Sequence, residues 1–201
     1  EISSVIACDD LTGMRLDAGK VKEARSKEVG YIRDKRVYDK IPRAQCVRNK
    51  RKVAQVRWID INKGDDENPN YRSRLVAREI RRKGEDPMFA PTPPLESLRT
   101  VLSLTATSIE GALVHDYQKD SPTRTQVSFI DIARAYFCAK TDPDNPSYVE
   151  LPEEEPGHGE KCGRLLRHMY GTQAAADGWH GEYASTLVDK LGFNIGNGSA
   201  C

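Results

Sequence analysis

Two β-prone runs flank a segment made almost wholly of turn formers, and that arrangement constrains the fold more than any other feature of the chain. Residues 53–61 read VAQVRWIDI, with Val56, Trp58 and Ile59 as the bulky positions. Residues 63–70 read KGDDENPN, in which glycine, paired acids, asparagine and proline all favour turns. Residues 71–77 read YRSRLVA and end in an apolar run. Two such runs around such a loop predict an antiparallel hairpin. Side chains alternate faces along a strand, so Arg72 and Arg74 project together on one side.

Around this hairpin the periodicity predicts helices and further short strands. Residues 14–36 combine good helix formers with Val21, Ala24, Val29 and Ile32 near one face, which predicts an amphipathic helix. Ile41-Pro42 closes that segment, because proline continues neither kind of hydrogen-bonded ladder. Residues 83–94 form a proline-rich connector, and Thr92-Pro93-Pro94 suits a helix start. Leu95, Leu98, Val101, Leu102, Thr105 and Ala106 recur at helical spacing, predicting a buried-face helix over 95–109. VSFIDI (127–132) is expected as a short strand buried on at least one side, and YVEL (148–151) as another. EEEPGHGE (153–160) is expected as a solvated acidic loop and not a metal site. Ala175, Trp179, Tyr183, Leu187 and Leu191 sit four apart, a helix that Gly192 is placed to cap. Short strands, a hairpin and helices in mixed order imply an α+β fold, an antiparallel sheet with packed helices.

Charge is the next constraint, because a net of +1 hides an asymmetry. Residues 1–83 hold 22 Lys and Arg against 13 Asp and Glu, a balance of +9; the remainder holds 9 against 17, or −8. Between residues 43 and 83 the balance is 13 against 5, or +8. Such a segment is either a footprint for phosphates or a solvated face that maintains solubility. No run of eighteen apolar residues occurs, so no transmembrane helix and no membrane partner are expected. The N-terminus lacks a basic region followed by an apolar run and does not read as a secretory signal. Five scattered cysteines without a C-x-x-C pair argue against a disulfide framework and against zinc, which fits reduced thiols in an intracellular protein. His115, His158, His168 and His180 have no metal-ligand spacing.

Several local strings, in order along the chain, resemble the reverse transcriptases of copia-type retrotransposons. Trp58 to Lys63 matches a tryptophan-bearing strand, W-V-x-x-x-K. YRSRLVA matches Y-K-A-R-L-V-A, with Arg72 in the lysine position and Arg74, Leu75, Val76 and Ala77 identical. Phe89-Ala90-Pro91 and the arginine-leucine pattern over 97–104 follow. Asp131 to Tyr136 matches D-x-x-x-A-[FY], and Tyr148, Glu150 and Pro152 match Y-x-E-x-P. Met169-Tyr170-Gly171 through Ala175 to Trp179 matches L-Y-G-x-x-x-A-x-x-x-W, with methionine for leucine. The clear resemblance runs from residue 56 to residue 193. Seven matches in register carry it, although each alone is weak. It implies the fingers and partial palm of a right-hand polymerase over 46–201, preceded by a helical lead-in over 1–45.

The resemblance also implies a chemistry and assigns residues to it. The primer 3′ hydroxyl attacks the α-phosphate of an incoming deoxynucleoside triphosphate, assisted by two Mg²⁺ ions held by hard oxygen ligands. Asp131 would be the family's first metal carboxylate, with the Ile132 backbone beside it; the alternative is a strand-end aspartate capping a turn. Tyr136 would underlie the sugar and exclude a 2′ hydroxyl, unless it is an ordinary core tyrosine. Arg72 or Arg74 would grip the triphosphate, because guanidinium forks suit phosphate oxygens. Tyr170 and Gly171 would border the base pair and template. Partners would be an RNA or DNA template-primer, deoxynucleoside triphosphates and the rest of a Pol polyprotein (integrase, RNase H). The setting would be a cytoplasmic particle or the nucleus.

Two departures bear on activity. Residues 172–177 read TQAAAD, where the family has lysine or arginine at 173, glutamine or aspartate at 174 and often proline at 176. The family's paired aspartates are expected a few dozen residues after Leu191-Gly192-Phe193, and the sequence ends at Cys201. Cys8-Asp9-Asp10 lies in the wrong order to replace them, and Asp65-Asp66 lies in the hairpin turn. One carboxylate cannot hold two metals, so negligible polymerase activity is expected. The palm strands that would cover the sheet beside Asp131 are missing, so an exposed apolar face and unpaired edges predict a marginal or aggregation-prone chain. The alternative is a degenerate or domesticated remnant that at most binds nucleic acid through residues 43–83.

Overall fold

In the computed structural model the described residues are 7–48, 52–79, 94–106 and 130–194. The hairpin forms as the sequence predicts: β2 (Val53–Asn62) pairs antiparallel with β3 (Tyr71–Arg78), with Val56 opposite Ala77, Trp58 opposite Leu75 and Ile61 opposite Arg72. Side-chain carbonyls and carboxylates close its turn. Asn62 Oδ1 accepts the Gly64 and Asn70 amides at 3.1 and 2.8 Å, and Asp65 Oδ1 accepts the Asn68 amide at 2.5 Å. Along β3, Ser73, Leu75 and Ala77 point into the protein, while Arg72, Arg74 and Arg78 point out.

Among the described residues the sheet has five strands, in the order β1-β5-β4-β2-β3. β4 (Tyr148–Glu150) lies where the sequence places it, whereas β1 (Tyr38–Pro42) and β5 (Lys161–Leu165) are additions to the expected set. β1–β5 and β4–β5 are antiparallel, but β2 and β4 run parallel through Val53–Tyr148 and Ala54–Val149. The sheet is therefore mixed and not wholly antiparallel. Pro42 ends β1 at the sheet edge, a position where its missing N–H costs no ladder bond. The segment 1–45 thus contributes a strand to the same sheet as the hairpin.

α1 (Ala18–Asp34) is shorter than the span 14–36, because Asp17 starts it by accepting the Lys20 amide at 2.8 Å. Val21, Ala24, Val29 and Ile32 are buried as expected, and so is Glu28. A short helix, α2 (Arg43–Arg48), follows β1. α3 (Leu95–Ala106) forms over the described part of its predicted span, but its apolar face is not buried: Leu95 is 54% and Val101 51% exposed. α4 (Ala175–Ser185) continues as a π turn over Thr186–Lys190 and ends at Gly192, whose φ of +71° is the left-handed cap expected there.

Two further expectations change. Ile130, Asp131 and Ile132 are exposed and outside any strand, so the described end of VSFIDI is a loop. Residues 127–129, the connector 83–93, Phe89-Ala90-Pro91 and residues 107–109 lie outside the described residues. The loop 153–160 is not uniformly solvated either: Glu155 is 2% exposed and ion-paired with Arg33 and Lys40. The main core gathers Ile32, Val37, Leu75, Phe137, Val149, Leu151, Leu165 and Met169 between α1 and the sheet. Each such side chain contributes about 1.5–3 kcal/mol on burial. Met169 is one of the fully buried members. No described helix is long and apolar enough to cross a membrane.

Candidate functional site

Four segments of the chain meet at the β3 edge of the sheet and enclose a cleft of about 510 Å³. α1 supplies Lys27 and Glu28; the hairpin supplies Lys63, Arg72, Ser73 and Arg74. The loop 131–134 and Tyr170 complete the lining. Five cations against two carboxylates, Glu28 and Asp131, give the lining a positive surplus suited to a polyanionic ligand.

Each wall has a local reason for its position. Strand alternation puts Arg72 and Arg74 on the exposed face of β3 while Ser73 points inward and donates to Asp60 Oδ1 at 2.6 Å. Arg25 also binds Asp60, at 2.7 Å. It lies 5.3 Å from the Trp58 ring centre, so α1 is clamped to the hairpin behind the cleft. The opposite wall depends on Gly171, whose φ is +80°. A Cβ there would lie 2.0 Å from the Ala77 carbonyl oxygen. Only glycine allows that approach, and it lets the Ala77 amide donate to the Tyr170 carbonyl at 2.8 Å. Tyr170 is thereby strapped to β3, with the Arg74 guanidinium 5.5 Å from its ring centre. Burial pushes the Tyr170 phenol up, and the Arg74 charge works against that shift.

Asp131 lies at the mouth of the cleft, exposed and without a side-chain partner among the described residues. Its loop is anchored three residues later by Arg134, in the left-handed conformation at φ 52°. The Arg134 guanidinium binds Glu28 Oε2 at 2.7–2.8 Å and covers the Tyr31 ring at 4.0 Å. Glu28 Oε1 is buried and accepts no hydrogen bond among the described residues. An acceptor left in that state costs about 1–3 kcal/mol.

The predicted site residues therefore separate into two groups. Arg72, Arg74, Asp131, Ile132 and Tyr170 line one cleft. Tyr136 does not line it; half-buried, it meets the Tyr170 ring edge-on at 4.9 Å and stands one layer behind. Gly171 acts through its backbone. None of residues 172–177 lines the cleft, so the departures at 173, 174 and 176 fall outside this lining. Cys8-Asp9-Asp10 has a structural use: Asp9 accepts the Leu11, Thr12 and Asn62 amides and Asp10 accepts the Asp60 amide. Sequence reasoning passed over Lys27, Glu28 and Arg134. The first two share the α1 face of Ala24, a signal available in the helical spacing, whereas nothing local marks Arg134.

Asp131 with the Ile132 carbonyl offers hard oxygen donors, and a triphosphate would supply the rest. That set fits one Mg²⁺ arriving on a phosphate chain, not two ions held by protein alone. Among the described residues no group of three His, Cys, Asp or Glu side chains is placed to hold a metal. Compared with known proteins, the chain matches no family model, no curated protein and no solved structure.

Proposed function

We propose that this chain is the fingers and part of the palm of an RNA-directed DNA polymerase of the copia-type retrotransposon kind, and that the cleft takes the triphosphate of an incoming deoxynucleotide. One observation carries the proposal. Arg72 and Arg74, chosen for phosphate, and Asp131, chosen for metal, lie about sixty residues apart in sequence and yet line the same cleft with Tyr170. The arginines supply fork-shaped donors to phosphate oxygens, and Arg74 is held beside the Tyr170 ring for that task. Asp131 would hold Mg²⁺ against the triphosphate; the ion, when bound, neutralises phosphate charge and activates the attacking hydroxyl. Tyr136 supports Tyr170 from behind, so its influence on the sugar would pass through that ring.

The test is equilibrium binding of dATP, with and without Mg²⁺, followed by calorimetry. Arg72→Ala/Arg74→Ala is expected to weaken binding at least tenfold under both conditions. Asp131→Asn is expected to weaken it only when Mg²⁺ is present. Equal affinity of the double arginine variant and the parent sinks the assignment. Asp131 is the one exposed carboxylate in the lining, so primer extension by this chain alone is expected to be negligible. Robust Mg²⁺-dependent incorporation would overturn that expectation, and salt-sensitive oligonucleotide binding without any triphosphate binding would favour a nucleic-acid-binding remnant instead.

A further inference from the structure

A second groove, of about 370 Å³, opens beside the C-terminal end of β5 and shares no lining residue with the first cleft. Its lining combines two kinds of surface. Pro143, Pro146, Leu165 and Leu166 make it apolar, and Arg36, Lys140, Arg164 and Arg167 bring four cations to it. No carboxylate is among the lining residues. Among the described residues none of these four cations forms an ion pair, whereas Arg25, Arg33, Arg43, Arg57 and Arg134 all do. Of the nearby acids, Asp142 accepts the Asp144 amide at 2.9 Å, and Asp39, directly opposite Arg164 in the β1–β5 register, makes no ion pair among the described residues.

Two of the four cations are tied to backbone carbonyls. Arg167 donates to the carbonyls of Lys35, Phe137 and Cys138 at 3.0, 3.3 and 3.1 Å through Nε and Nη1, which leaves Nη2 for a ligand. Among the described residues Arg164 reaches only the Pro143 carbonyl, at 3.5 Å. Arg36 sits at φ 48°, a left-handed conformation that glycine adopts freely and arginine adopts at a cost. Unpaired cations converging on a concave surface repel one another until an anion joins them.

We infer that this groove binds a nucleotide unit, either free or within a single strand. The phosphate would sit among Arg36, Lys140 and Arg164, and the base would lie on the prolines and the guanidinium faces. Guanidinium groups suit phosphate oxygens, and flat apolar or guanidinium surfaces suit a base. A purely apolar ligand would strip water from the cations without replacing it, and a bare anion would leave the apolar lining unused. None of this depends on the polymerase proposal, because no residue is shared.

Fluorescence anisotropy of a labelled oligo-dT on the full chain tests it, with AMP and inorganic phosphate as competitors at matched ionic strength. The measurements are made in the Arg72→Ala/Arg74→Ala background, so that the first cleft does not contribute. Arg36→Gly removes a charge while relieving the backbone, so folding is preserved, and Lys140→Ala removes a second. Together they are expected to weaken binding about tenfold. They should also reduce the slope of log affinity against log salt by about 1.4, at roughly 0.7 per lost cation. Competition by AMP well beyond that of phosphate identifies a free nucleotide; competition only by unlabelled strand identifies a strand. Unchanged affinity and slope in the double variant overturn the proposal. So does phosphate competing as well as either nucleotide ligand, or no binding at all before the groove substitutions are made.

Discussion

Glu155 shows how much a single position can hide in a sequence. Its side chain has no exposed surface and sits between Arg33, at 2.8 Å, and Lys40. Burial pushes its carboxyl up, but the hydrogen bonds and charges of Arg33 and Lys40 outweigh that and hold it below its ordinary 4.5. A depressed folded value means the pair's stabilisation is fully present above the ordinary range. It is lost as the pH falls through the folded value. Glu155→Gln is expected to cost about 2–3 kcal/mol near neutrality, less than a fully buried pair because Arg33 is half exposed. The difference from the parent should shrink as the solution is acidified below 4.5. Denaturant melts across that range check it, and a gap that stays constant into strong acid would assign the stabilisation to packing. The sequence could not single out Glu155 from its neighbours in EEEPGHGE, because its partners lie 122 and 115 residues away. Glu28 was hidden for the same reason: its partner Arg134 is 106 residues distant.

Among the elements, legibility follows the range of the interactions that define them. The hairpin was legible because its turn is closed by residues within the turn and its strands carry their own alternation. β1 and β5 were not, because YDKIP and KCGRL have no apolar period of their own and pair across more than a hundred residues. The Tyr170–Gly171 strap joins a legible motif to a legible strand and is the element on which the cleft depends. Gly171→Ala is expected to destabilise the fold by about 3 kcal/mol or more. Its Cβ has no room against Ala77, and its φ suits glycine alone. Thermal melts measure the loss, and dATP binding should fall with it; an unperturbed melt would show that the strap is not where these contacts place it. A second tie links α2 to β5, where the Cys46 and Cys162 sulfurs lie 2.6 Å apart and fully buried. Burial, then the neighbouring Cys46 thiol, push Cys162 up to about 12, so its nucleophilic thiolate is scarce. Brief iodoacetamide treatment of the native chain should label Cys8, which is exposed, and spare Cys46 and Cys162 until denaturant is added. Peptide mass spectrometry reads the pattern, and native labelling of Cys162 would contradict the burial.

Across the whole molecule the charge asymmetry and the site agree in direction, since the basic first half supplies Lys27, Lys63, Arg72 and Arg74 to a cleft completed by Asp131 and Tyr170 from the acidic second half. The resemblance named Arg72, Arg74, Asp131, Ile132 and Tyr170 of that lining, but not Lys27, Glu28 or Arg134, nor the depth behind Tyr170 or the ion pair that anchors its loop. The same scale exposes a difference between pattern and packing in α3. Its period-3.6 stripe predicted a buried face, because periodicity records an apolar side without saying what covers it. Leu98 and Leu102 are 44% and 41% exposed, and Ile130 and Phe193 add further apolar surface at 77% and 59%. The exposed leucines along one side of α3 favour self-association. Leu98→Gln/Leu102→Gln is therefore expected to leave the melting free energy within about 0.5 kcal/mol per site, as for other surface changes. Light scattering at increasing concentration should show less self-association than in the parent. A combined loss well beyond about 1 kcal/mol would mean that these leucines are packed in solution and that the helix's apolar face is covered, as its sequence period first indicated.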